Sequence, residues 1–131
     1  MNYPIFFNAK NSLNLFDLKE NFNFMSKLYA NKNLPNVLMF TGNKGIGKST
    51  LINHFLFSIF DADNYDKETF SILNNSSFLK QFQNNIFSNI IYVNGANYKS
   101  VKVEDIRNLK KKILQSTISN MNRFIIFDDI E

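Results

Sequence analysis

Cysteine and tryptophan are absent from the 131 residues, and there are only 4 glycines, 2 prolines and 1 histidine. The missing cysteine excludes a disulfide framework, a thiolate metal site and a cysteine nucleophile. The single histidine leaves no pair for a histidine-based metal centre. Arginine occurs only at Arg107 and Arg123, too few for an arginine-rich second phosphate site. No apolar run approaches the ~18 residues of a membrane span. The amino-terminal residues Met1 to Phe7 lack a basic region followed by a long apolar stretch, so no signal peptide is expected and the default location is cytoplasmic.

What remains is of ordinary globular composition: 44% apolar, 20% charged, net charge +4. One domain at most is expected, and a chain of this length can hide roughly two-thirds of its unfolded surface. Asparagine is over-represented at 22 residues. Together with abundant Lys, Ile and Phe this points to an A/T-rich coding sequence. The positive charge is therefore weak evidence for a polyanionic partner.

Helix-like and strand-like segments alternate. Within 12–32, Leu15, Leu18, Phe22, Met25, Leu28 and Tyr29 recur at helical spacing. Leu34-Pro35-Asn36 breaks that pattern. Val37–Phe40 is a continuous apolar run of strand length, the pattern of a strand covered on both faces. After a glycine-rich loop, Leu51, Ile52, Phe55, Leu56, Ile59 and Phe60 predict a helix with a broad buried face. On it His54 falls opposite the apolar pairs and is expected to be solvated. Residues 61–89 are polar and read as a loop or small helical insertion. Ile90–Val93 predicts a second strand closed by Asn94-Gly95. Ser100 is the expected cap of a helix over about 101–116, with Val103, Ile106, Leu109 or Lys110, and Ile113 as its apolar stripe. Glu104 and Asp105 near its start and Lys110–Lys112 near its end suit the helix dipole, so the lysine run is expected to be a solvated helix end. Phe124–Phe127 is the third strand, ending in Asp128-Asp129, with Arg123 expected to be exposed. The phenylalanine stripes are expected to be core. Alternation of this kind implies an α/β fold with parallel strands.

Gly42 to Ser49 matches G-x-x-x-x-G-K-[ST] at every fixed position. Phosphate oxygens must meet several backbone N–H groups at once, so the loop has to curl with its amides inward and no side chain in between. The helix that follows adds unpaired N–H groups and a positive dipole end. The expected nucleotide-binding residues are Gly42, Asn43, Lys44, Gly45, Ile46, Gly47, Lys48, Ser49 and Thr50. Lys48 is assigned to the β- and γ-phosphates and the Ser49 hydroxyl to Mg²⁺. Asp128 follows four apolar residues and is the expected second Mg²⁺ ligand, delivered at a strand's carboxyl end where open α/β sheets bind ligands. Asp129 stands where many ATPases place a water-orienting glutamate. It is one methylene shorter, which weighs against efficient hydrolysis.

The segment from Leu34 to Thr50 resembles the Walker A stretch of bacterial clamp loaders. Val103-Glu104-Asp105-Ile106-Arg107-Asn108-Leu109, followed by Arg123 to Glu131, resembles their Walker B region. On these motifs the chain is similar to the delta-prime subunits of DNA polymerase III, of the AAA+ class. The resemblance implies an AAA+-like P-loop NTPase fold: a three-layer parallel sheet with helices on both faces, here incomplete, with three of five core strands. It implies ATP and Mg²⁺ as cofactors. It also implies other clamp-loader subunits and the sliding clamp as partners in a hetero-oligomer, with primed DNA contacted indirectly and no membrane. Many members of that family carry a four-cysteine zinc module, which this chain cannot form. The family's sensor strand, lid and helical collar fall outside 1–131. In the family's strand order Val37–Phe40 would then lack both neighbours, so a chain that is marginal, prone to aggregate, or re-paired with 37–40 directly against 124–127 is expected. The alternatives to an ATP-binding clamp-loader subunit are another P-loop ATPase or small-molecule kinase, and a non-hydrolysing structural stator.

Overall fold

The computed structural model of the chain describes residues 12–73, 75–84, 86–94, 102–117 and 120–128. The chain divides into two compact units, one within Tyr3–Lys80 and one within Gln81–Glu131.

The first unit is built on two helices. Helix α1, Lys19–Ala30, buries Phe22 and Met25, one turn apart. It begins seven residues later than the apolar spacing alone indicates, because Asp17 takes a positive φ of 62°. Leu15 is still buried, but in an extended stretch. Its N–H donates to the Phe70 carbonyl at 3.0 Å, and the Ile72 N–H donates to that of Leu13 at 2.8 Å. At the other end the Asn33 N–H reaches the Leu28 carbonyl (2.8 Å) and the Lys32 N–H that of Tyr29 (3.0 Å). With Lys32 at φ 57° this is a Schellman stop, which satisfies the last helical carbonyls.

Helix α2, Lys48–Phe60, buries Leu51, Asn53, His54, Phe55, Leu56 and Phe57. Burial on nearly every side makes it the central helix of this unit rather than a half-solvated one. Tyr29 of α1 meets Phe55 edge-on at 5.9 Å between ring centres.

Residues 61–89, expected as a loop or small helical insertion, hold a short helix and also a small hairpin. A 3-10 turn over Ala62–Asn64 leads into β1 (Tyr65–Asp66), which pairs antiparallel with β2 (Ser71–Ile72). The Asp66 carboxylate closes the turn by accepting the N–H groups of Glu68 (2.8 Å) and Thr69 (3.1 Å). Helix α3, Ser77–Gln83, follows, its entry capped by the Ser76 hydroxyl accepting the Leu79 N–H at 2.9 Å. Tyr65, Ile72, Phe78 and Leu79 are all buried. Phe22 of α1 stacks on Tyr65 and meets Phe70 edge-on. The asparagine- and serine-rich composition concealed aromatics that complete the core. Of the phenylalanines expected to be core, Phe22, Phe55, Phe57, Phe78 and Phe82 are buried, while Phe16, Phe24 and Phe127 are exposed.

The second unit holds a parallel pair, β3 (Ile90–Asn94) and β4 (Phe124–Asp128), in the register Ile90↔Phe124 through Asn94↔Asp128. Helix α4, Val103–Leu114, lies between them in sequence. Parallel strands need such a crossover. The Lys102 N–H donates to the Asp105 carboxylate at 2.9 Å, closing the helix start; Ser100, the expected cap, and Gly95, the expected strand closer, lie outside the described residues. Glu104 and Asp105 occupy the first turn and Lys111 and Lys112 the last, as the dipole argument requires. The apolar stripe is only partly used: Leu109 and Ile113 are half-buried while Val103 and Ile106 are exposed. Arg123 is not exposed. It is half-buried, and its Nη1 donates to the carbonyls of Lys112 and Ile113 at the helix end. Asn89 ties the strands together: its amide donates to the Met121 and Asn122 carbonyls, and its own carbonyl accepts the Phe124 N–H.

One expected strand is missing. Val37–Phe40 belongs to no strand. Val37 and Met39 are 85% and 84% exposed. Among the described residues the parallel sheet contains β3 and β4, and the expected pairing of 37–40 with 124–127 is not among its pairings. An apolar run becomes a strand only where a neighbour takes up its N–H and C=O groups. Among the described residues, no helix is long and apolar enough to cross a membrane.

Candidate functional site

The glycine-rich loop runs directly into α2. Gly42, Gly45 and Gly47 all have positive φ, at 141°, 85° and 98°. Gly47 is the residue before the first helical turn, so the chain changes hand there and enters the helix within one residue. A Cβ at this position would also lie 3.3 Å from the Leu18 side chain. Gly47→Ala is therefore expected to cost about 1–2 kcal/mol for the left-handed backbone alone. Urea denaturation checks this; an unchanged midpoint would show that the loop adopts another conformation.

The start of α2 has no side-chain cap and no acidic residue in its first turn. The first N–H groups of a helix have no intrahelical acceptor, and here no side chain supplies one. Positive partial charge is therefore left at the loop. Lys48 folds back over that loop: its Nζ donates to the Gly42 carbonyl at 2.7 Å and the Asn43 carbonyl at 3.0 Å. The ammonium thus lies against the inner backbone of the predicted phosphate loop, without a carboxylate partner in either bond. Thr41 to Ile46 are exposed and Gly47 to Thr50 half-buried, so the loop is open to a ligand. Chemically, an uncapped helix start, a curled glycine loop and one lysine make a receptor for a multiply charged anion.

Asp128 ends β4 in the second unit and is half-buried. Its Oδ2 accepts a hydrogen bond from the Tyr92 hydroxyl at 2.5 Å. Tyr92 is a residue that motif reading passed over. The signal is in the pairing: Tyr92 stands opposite Ile126 and Asn94 opposite Asp128, so positions 92 and 128 share one face of the pleat. Asp129 lies outside the described residues. Ser49 belongs to the first unit and Asp128 to the second; each carries a hard oxygen donor, the type Mg²⁺ takes. No group of three or more His, Cys, Asp or Glu suited to a metal occurs among the described residues.

His54 is corrected from solvated to fully buried. Its Nε2 lies 2.7 Å from the Ser12 carbonyl and its Nδ1 3.0 Å from the Tyr65 hydroxyl. A carbonyl can only accept, so Nε2 carries the proton and Nδ1 accepts from Tyr65. Burial pulls the His54 pKa below its ordinary 6.5, against the raising effect of the Ser12 hydrogen bond. Burial, reinforced by the charge of Asp66, pushes the Tyr65 hydroxyl up, so it remains a neutral donor. This arrangement is structural: both ring nitrogens are engaged within the core.

Among known families, a model described as DNA polymerase III, delta subunit, matches residues 18–131. No curated protein and no solved structure matches the chain.

Proposed function

The chain belongs to the DNA polymerase III delta-subunit family, and from that membership we propose that it is a delta-prime-like, ATP-binding clamp-loader subunit. In this reading its nucleotide-binding part is a portion of an AAA+-like P-loop domain, with helices on both faces of a larger parallel sheet. The observation that carries the proposal is the start of α2: a left-handed glycine, no cap, and Lys48 folded over the loop carbonyls. On ATP binding Lys48 exchanges those carbonyls for the β- and γ-phosphates, and the loop amides from Gly42 to Thr50 hold the remaining oxygens. Ser49 and Asp128 would each supply an oxygen ligand to Mg²⁺, which would neutralise phosphate charge. Asp129 is assigned to the attacking water, with slow turnover because its carboxylate is short. Partners are other clamp-loader subunits and the sliding clamp in a hetero-oligomer, with primed DNA reached through the assembly.

Equilibrium binding of a fluorescent ATP analogue tests this. Lys48→Ala is expected to weaken binding by about 1.5–3 kcal/mol, the range for hydrogen bonds to a charged group. That is roughly ten- to a hundredfold or more in Kd. No binding by the unmutated chain would overturn the ATP site and favour the stator reading. Rapid turnover by the chain alone would favour an independent ATPase or kinase.

A further inference from the structure

We propose that Tyr92 is a positioning residue for Asp128. Its hydroxyl fixes one carboxylate oxygen so that the other is presented to Mg²⁺ in one orientation. The proposal rests on the Mg²⁺–ATP reading above and adds to it a residue outside both Walker motifs.

The geometry is local to one unit. β3 and β4 pair in parallel with Tyr92 opposite Ile126, and a tyrosine is long enough to reach the diagonal position two residues further along the neighbouring strand. The Tyr92 hydroxyl donates to Oδ2 of Asp128 at 2.5 Å, within the range for a hydroxyl bound to an ionised carboxylate. The bond engages Oδ2 and leaves Oδ1 outside it. An aspartate at a strand end turns freely about its last torsion. A donor anchored on the neighbouring strand removes that freedom without taking away the negative charge. Groups that orient a metal ligand in this way typically contribute 10- to 100-fold to metal affinity.

The test is a Mg²⁺ titration of the full chain with a fluorescent ATP analogue, alongside the same titration in EDTA. Tyr92→Phe removes one oxygen and keeps the ring. The Mg²⁺ concentration giving half-maximal enhancement of nucleotide binding is expected to rise about tenfold, with metal-free affinity and melting temperature unchanged. Asp128→Asn keeps an acceptor for Tyr92 and removes the charge, and in that background Tyr92→Phe is expected to add nothing. An unchanged or lowered Mg²⁺ requirement in Tyr92→Phe overturns the proposal. So does a fall in melting temperature accompanied by weaker metal-free binding, since that is a packing role. If the unmutated chain binds nucleotide with no response to Mg²⁺, the metal reading itself fails and takes this inference with it. If it responds and only Tyr92→Phe is silent, this inference alone fails.

Discussion

Phe57→Ala is expected to destabilise the chain by about 3–5 kcal/mol, the cost of deleting a buried aromatic and leaving a cavity. Phe57 has no exposed surface, and its ring meets that of Phe78 edge-on at 4.8 Å. Phe78 also lies 6.0 Å from Phe60 in a stacked arrangement. Whole domains are stable by only about 5–15 kcal/mol, so the variant is expected to lose much of its cooperative transition or to be unfolded outright. Phe24→Ala, at a residue 65% exposed on α1, is the matched control, with an expected change within about 0.5 kcal/mol. Urea unfolding followed by circular dichroism compares the two. A Phe57→Ala midpoint close to that of the control would mean that the 77–83 helix does not pack on α2. A double cycle with Phe78→Ala isolates the ring pair, for which a coupling of roughly 0.5–1.5 kcal/mol is expected.

The Phe57–Phe78 ring contact was not legible in the sequence, because Phe78 stands in a polar stretch. The bend of the glycine-rich loop, α2, β3, α4 and β4 were legible because each is announced within a few residues. The glycines must bend, the apolar pairs follow at helical spacing, and the charges sort by helix end. Val37–Phe40 looked equally clear, but a strand is a property of two segments, and the partner is not encoded in the run itself. Within 61–89 the hairpin, unlike the helical part, was not legible. The segment's asparagines and serines lowered the average hydropathy, although Ser76 and Asn89 are themselves buried, while Tyr65, Ile72, Phe78 and Leu79 went inward one at a time. The place of Asp128 at the end of β4 was legible from the four apolar residues before it. Tyr92 was not, because the pair exists only once the register of β3 on β4 is known. Asp66 shows the same limit on a smaller scale. Its pKa is held down by the Thr69 side chain, then by the N–H groups of Thr69 and Glu68, a turn that its polar neighbours did not distinguish from other loops.

His54 is the clearest case, because its polarity placed it on the wrong side of the helix and its partners are 11 and 42 residues away. Its burial gives the chain a pH dependence with a defined sign. The folded-state pKa is lowered from 6.5, so the unfolded chain takes up the proton first. Stability from this group is therefore complete above about pH 6.5 and is lost as the pH falls below it, by up to about 1.4 kcal/mol per unit until the folded group titrates. The Asp66 contribution runs in a separate, more acidic window, because its ordinary value is 3.8 and its shift is downward. Protonated His54 would be a buried cation whose Nδ1 donates to Tyr65, leaving the phenol proton without its acceptor. Substitution removes both bonds at once. His54→Ala removes the hydrogen bonds that the ring makes to the Ser12 carbonyl and the Tyr65 hydroxyl, at about 1–3 kcal/mol for each, so a loss of roughly 2–6 kcal/mol is expected at neutral pH. The variant is also expected to lose the slope between pH 6.5 and the carboxylate range, and that second effect separates a titrating histidine from a merely well-packed one. Urea midpoints measured from pH 8 to pH 5 read both. A variant as stable as the original chain, or a slope that survives the substitution, would overturn the assignment of His54 as the buried group that sets stability in that range.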